Sequence, residues 1–139
     1  MSSQPSKPVL TRQQVQAALD AGEATARTAG VRVSLAVVDD GGHLLGFVRM
    51  DGVHTGTVEV AQAKARCAAG FRKPTREMAQ SLAAGMSALL TLPGSLPIPG
   101  GVPVRIGEQV AGAIGVSGAS PDTDDEIARA AEAAAANYQ

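Results

Sequence analysis

Arg49 and Asp51 stand two residues apart where the apolar run LLGFV gives way to RMDG. A guanidinium at the end of such a run can hold a carboxylate through two parallel hydrogen bonds, which suits an organic acid or a propionate. The same two residues could instead pair with each other and brace a turn. Lys64 is the second candidate. On a helix of 3.6 residues per turn, Glu59, Gln62 and Arg66 mark the wet side, and Lys64 falls opposite them with Val60, Ala68 and Phe71. An ammonium on an apolar stripe must snorkel outward, pair with a carboxylate or give up its proton. Asp39 and Asp51 are the nearest acidic partners on the expected topology. Two readings follow: a structural ion pair, or a ligand-facing cation able to move protons.

His43 and His54 are the only histidines. Each could carry a proton or ligate a haem iron, but two isolated histidines make no metal motif, so no metal site is expected unless haem binds through His43 or His54. His54 lies in the loop VHTG close to Asp51, the better place for acid–base work. Gly100 and Gly101, followed by Val102 and Pro103, let the backbone turn sharply and approach a ligand, while Gly112, Gly115 and Gly118 keep a later strand thin. Close packing of a helix or a second subunit would need the same glycines.

Elements able to position these residues are legible in the hydrophobic periodicity. Residues 1–9 read as a disordered lead-in, and residues 10–139 as a single domain. A helix opens at Thr11 as N-cap, carries Val15, Ala18, Leu19, Gly22 and Ala26 on one face, and ends at Gly30. Val33–Val38 is a strand apolar on nearly both faces, which requires cover on both sides. The turn Asp39-Asp40-Gly41-Gly42 returns the chain antiparallel through His43–Met50. Helices are expected at about 55–71 and 75–90, separated by Lys73-Pro74, the second with a stripe of Met78, Leu82, Met86 and Leu89. The segment LPGSLPIPGG reads as an ordered loop of the kind that borders a site. A second hairpin, Val102–Ile106 with Val110–Ser117, and a helix capped by Ser120-Pro121 complete the chain. On that last helix Ile127, Ala131, Ala134 and Tyr138 should face inward, with Asp125 and Arg129 paired outside. Helix, hairpin, two helices, hairpin, helix gives an α+β fold, an antiparallel sheet with helices on its faces.

Composition removes several functions. Twelve Lys and Arg against thirteen Asp and Glu leave a net charge of -1, and with two Phe, one Tyr and no Trp there is neither a basic footprint nor a stacking platform for nucleic acid. The single cysteine, Cys67, rules out an internal disulfide and reads as a buried, inert thiol. No P-loop, GxGxxG or nucleophile elbow is present, which speaks against nucleotide-dependent chemistry. The polar start MSSQPSKP, and the lack of any apolar run near 18 residues, lead to the expectation of a cytoplasmic chain with no membrane partner.

Five ordered blocks carry a resemblance: VSLAVVDDGGHL, RMDG, AQAKA, LPGSLPIPGGVPV and VAGAIGVSGASPDTDDEIA. Together they resemble the GlcG/HbpS family of haem-binding proteins, related to the C-terminal domain of PduO-type corrinoid adenosyltransferases, from about Leu10 onward. The resemblance implies a profilin-like fold of about five antiparallel strands with helices on both faces, haem or a related tetrapyrrole as cofactor, and a homo-oligomer. Some members are haem-degrading or redox-sensing, and others accompany glycolate, diol or aromatic catabolism. The matching positions are Asp39, His43, Arg49, Asp51, Lys64, Gly100, Gly101, Pro103, Gly112 and Gly118. Cys67 stands where small or hydroxyl residues are common, and His54 occupies a variable position.

Three functions are therefore weighed. The first is a small-molecule-binding protein holding haem or a tetrapyrrole, with Arg49, His43, Asp39, Gly100 and Gly101 around the ligand. The second is a cofactor-independent enzyme for a carboxylated or aromatic-pathway intermediate, with Arg49 as clamp and His54, Asp51 and Lys64 moving protons. The third is a non-enzymatic oligomeric accessory subunit.

Overall fold

The computed structural model describes residues 4–139. Met1 to Ser3, the start of the expected lead-in, lie outside the described residues. The rest of that lead-in runs without helix or strand. It is pinned by a Lys7–Asp40 ion pair at 2.8 Å and by the Gln109 amide, which donates to the Ser6 carbonyl.

Helix α1 (Arg12–Thr28) starts from a capping box: Thr11 Oγ1 accepts from the Gln14 backbone while the Gln14 side chain accepts from the Thr11 backbone. The five expected inward residues are its buried face. Strands β1 (Ser34–Asp39) and β2 (Leu44–Arg49) form the first hairpin. Helix α2 (Thr57–Phe71) follows and stops at Arg72, whose φ of 59° is left-handed, just ahead of Pro74.

Helix α3 runs only from Thr75 to Ala83, not to about residue 90. Gly85 takes a φ of +105°, and a short 3₁₀ turn, Ser87–Thr91, replaces the last helical turns. The expected apolar stripe is broken with it: Met78 is buried, whereas Met86 is exposed. Strands β3 (Gly101–Ile106) and β4 (Gln109–Ser117) make the second hairpin, and α4 (Pro121–Ala136) opens with Ser120 Oγ accepting from the Thr123 backbone.

The strands form one antiparallel sheet in the order β2-β1-β4-β3. Among the described residues it has four strands, one fewer than the resemblance implies. The α+β class with helices on both faces stands. Leu35, Val37, Ile114 and Val116 point to α1 and α4, where Ile127, Ala128, Ala131 and Ala135 are buried. Tyr138 is exposed and Ala134 only half-buried, because the inward stripe drifts to Ala135. On the other face Ala36, Val38 and Ala113 meet Ala61, Ala65, Ala68 and Ala69 of α2. Alanine on both sides brings that helix close enough to the sheet that only glycine fits at position 115, beside the Ala61 carbonyl.

Candidate functional site

The structure distributes the candidate residues over three places. Lys64 is in the interior. Its Nζ donates to the Val116 carbonyl at 2.9 Å and to Asp124 Oδ2 at 3.1 Å, and both charged side chains are 3 % exposed. Its partner is thus Asp124, not Asp39 or Asp51. The reason is topological: β4 lies between β1 and β3, so its end, and the start of α4 that follows, come beside α2. Asp124 Oδ1 also accepts from the Ala119 backbone at 2.9 Å, so one carboxylate ties α2 to the loop entering α4. Burial pushes the Asp124 carboxyl above its ordinary range, and the nearby Lys64 charge only partly offsets this.

Gly100 and Gly101 belong to the same buried cluster. At Gly100, where φ is +128°, a Cβ would come within 2.8 Å of Lys64 Nζ and 2.7 Å of the Val116 carbonyl; at Gly101 it would fall on the Lys64 carbonyl. These glycines make room for a lysine of this chain. Thr75 Oγ1 receives the Gly101 N–H at 2.9 Å and fixes that turn.

Asp39 and His43 occupy the β1–β2 turn. Asp39 Oδ1 accepts from the backbones of Gly41 and His43, both at 2.9 Å, and His43 Nδ1 lies 3.2 Å away. The His43 backbone N–H, more than its ring, holds the Asp39 carboxyl below the usual range, with burial opposing it and the Gly41 N–H adding to it. His43→Ala should therefore leave most of that lowering in place. A carboxyl NMR titration that returned Asp39 to 3.8 in the variant would assign the effect to the imidazole instead.

Arg49 and Asp51 sit at the opposite end of the same hairpin. They line a concavity of about 720 Å³ with Glu23, Arg27, Gly30, Val31, Arg32, Met50 and Gly52. Arg27 is paired with Glu23. Among the described residues the side chains of Arg32, Arg49 and Asp51 make no hydrogen bond or ion pair, so the expected brace between Arg49 and Asp51 does not form. Met50 and Val31, half-buried against the core, contribute apolar surface to the same lining. His54 is exposed in the loop beyond, with its carbonyl accepting from Thr57 Oγ1 at 2.7 Å; its ring does not line the concavity. This corner can take a carboxylated ligand with an apolar body.

Comparison with known proteins bears on what such a corner serves. The family model described as "Haem degrading protein HbpS-like" matches residues 10–133. The chain belongs to the HbpS-like family. Within it, Protein GlcG of Escherichia coli K12 is 39 % identical over 111 residues, spanning 80 % of this chain and 83 % of GlcG. A crystal structure of a double mutant of Streptomyces reticuli HbpS superposes with a TM-score of 0.86 at 35 % identity, covering 96 % of this chain and 91 % of HbpS. The fold is also that of PduOC, solved as a haem complex, with a TM-score of 0.83 at 24 % identity over 91 % of this chain and 95 % of PduOC.

Against the haem of the PduOC complex, the HbpS-like chain offers a partial fit. The free guanidiniums of Arg32 and Arg49 suit propionates. Among the described residues no imidazole lines the concavity, and the Met50 sulfur already accepts the Val33 N–H at 3.5 Å. The residues at this corner do not fit an iron ligated by this chain.

Sequence reasoning missed two residues and the burial of a third. Arg32 precedes its strand with no pattern to mark it. Asp124 was legible in principle, since the stripe 127, 131, 135 extended back by one turn reaches it. Asp125, expected outside with Arg129, does pair with Arg129 Nε at 2.9 Å but is itself 1 % exposed, with Arg76 on the same oxygen.

Proposed function

We propose that this protein binds a carboxylated small molecule, haem or a related tetrapyrrole, in the corner between Arg32 and Arg49. The observation that carries the reading is the concavity itself, lined by two arginines whose guanidiniums have no partner and by the apolar Val31 and Met50. The haem named for the family and for the PduOC complex supplies the ligand class. Its volume lies within the usual range of small-molecule pockets, roughly 300–1,000 Å³. Lys64 and Asp124 serve the fold in this reading, since they satisfy each other in the interior and do not line the Arg32–Arg49 concavity. Assembly into a homo-oligomer belongs to the same proposal and is supported by the exposed Leu44, Leu45, Met86, Leu90, Leu92 and Ile98.

Titration with haem should give a saturable Soret change at about one haem per chain, and a native mass spectrum of the same sample should show the retained ligand together with the subunit count. Absence of any saturable change at stoichiometric haem would remove the tetrapyrrole, and a strictly monomeric spectrum would remove the assembly.

A further inference from the structure

We infer that this corner recognises its ligand by two carboxylates, one on Arg32 and one on Arg49, and not through a bond from the protein to a metal. The inference rests on the small-molecule reading and specifies it: a metal-free tetrapyrrole diacid is held as well as haem.

The first support is the state of the cations. An arginine paired in the fold must break that pair to bind an anion, as Arg27 would have to leave Glu23. Arg32 and Arg49 have nothing to give up. The second is the placement of Arg32. The Asp51-Gly52 turn carries a φ of +82° at Gly52, and a Cβ there would fall on Arg32 Nη1. The glycine leaves the guanidinium lying against the turn, beside the rim to which Arg49 belongs. The third is the lining: Val31 and Met50, half-buried against the core, belong to the same concavity and offer apolar surface to the body of such a ligand.

What surrounds these groups sets the charge that fits. The lining holds Arg27, Arg32 and Arg49 against Glu23 and Asp51. Once Arg27 is matched by Glu23, two unpaired guanidiniums remain beside one unpaired aspartate, which provides one donor group for each acid of a dicarboxylate and none for the extra charge of a ligand such as a nucleoside triphosphate. The donors needed to ligate a metal are elsewhere. His43 is at the far end of the hairpin, His54 lies off the lining, and no cluster of three or more His, Cys, Asp or Glu suited to a metal occurs among the described residues.

The test compares three probes on the whole protein: haem, metal-free protoporphyrin IX, and protoporphyrin IX dimethyl ester, read by absorbance and by porphyrin fluorescence. The two diacids should bind within about threefold of each other, and the ester should bind roughly ten- to a hundredfold more weakly. Arg32→Gln and Arg49→Gln should each weaken the diacids by roughly tenfold or more and leave the ester unchanged, with thermal melts matching the parent because both side chains are exposed. Haem bound while the metal-free diacid is not, or an ester bound as tightly as the acid, overturns the inference and leaves the small-molecule reading standing. Failure of all three probes removes both.

Discussion

Lys64→Met should lower the stability of this protein by about 3–5 kcal/mol at neutral pH, measured by denaturant unfolding. Methionine keeps the length and apolar stem of the lysine, so the loss comes from the charge. Asp124, 2 % exposed, would be left ionised in the interior without the Lys64 ammonium, its carboxylate still accepting from the Ala119 backbone N–H. Removing that charge as well, in Lys64→Met/Asp124→Asn, should recover most of the loss, because the asparagine carbonyl can still accept from Ala119. The deficit has a definite pH dependence. Burial already raises the folded Asp124 carboxyl above the 3.8 of the exposed group, and loss of Lys64 removes the interaction that opposes this. A raised folded value means that ionisation costs stability. The deficit is therefore absent below the unfolded value near 3.8 and grows as pH rises through the folded one. The variant should approach the parent in acid and diverge from it toward neutrality. Equal stability of parent and Lys64→Met at pH 7 would show that the pair does not hold α2 to α4. Ligand affinity of the folded variant should be unchanged, since Lys64 does not reach the Arg32–Arg49 corner.

Gly115→Ala should cost about 3 kcal/mol, the upper part of the usual range for overpacking. The new methyl would fall on the Ala61 carbonyl and come within 2.6 Å of the Ala65 backbone nitrogen. Both atoms belong to the backbone of α2, so no side chain can rotate out of the way and the helix itself must lift from the sheet. Gly70→Ala is the matched control. Gly70 lies in the same helix, and a Cβ there meets nothing within 4 Å, so alanine should stabilise by about 0.5–1 kcal/mol through helix propensity. If the two substitutions had the same effect, close packing of α2 on the sheet would be wrong.

The contrast between these two glycines shows what a sequence can convey. Both are single glycines in apolar stretches, Gly70 between Ala69 and Phe71 and Gly115 between Ile114 and Val116, and neither is marked out in the chain. Only the position of the sheet makes one of them obligatory. The paucity of aromatics did announce a tightly packed interior, because alanine and valine fill space only when backbones approach. It could not say which backbones. The same holds for the last helix, where the direction of the apolar stripe was correct at Ile127 and Ala131 but ended on Ala135, not on Ala134 and Tyr138. An offset of one residue lies within the drift of a helical stripe over several turns.

The candidate site divides in the same way. Arg49 and Asp51 were legible because they end a strand, and a strand end is a local property of the chain. Their partner in the concavity, Arg32, was not, since it acquires a role only when β1 and β2 pair and bring residue 32 beside the Asp51-Gly52 turn. His43 and Arg49 share a strand parity in the sequence, yet the hairpin carries them to opposite ends.

The sequence by itself determined the local elements: the capped helices, the two hairpins, the inward face of Lys64 and the glycines that thin the strands. These follow from periodicity, capping and backbone sterics, all of which act within a few residues. Tertiary structure alone decided that Asp124 is the partner of Lys64, that Gly100 and Gly101 enclose that lysine, and that Arg32 and Arg49 share one hollow. Those pairings depend on the strand order β2-β1-β4-β3, which the free energy of the whole packed chain selects and no short stretch of residues encodes.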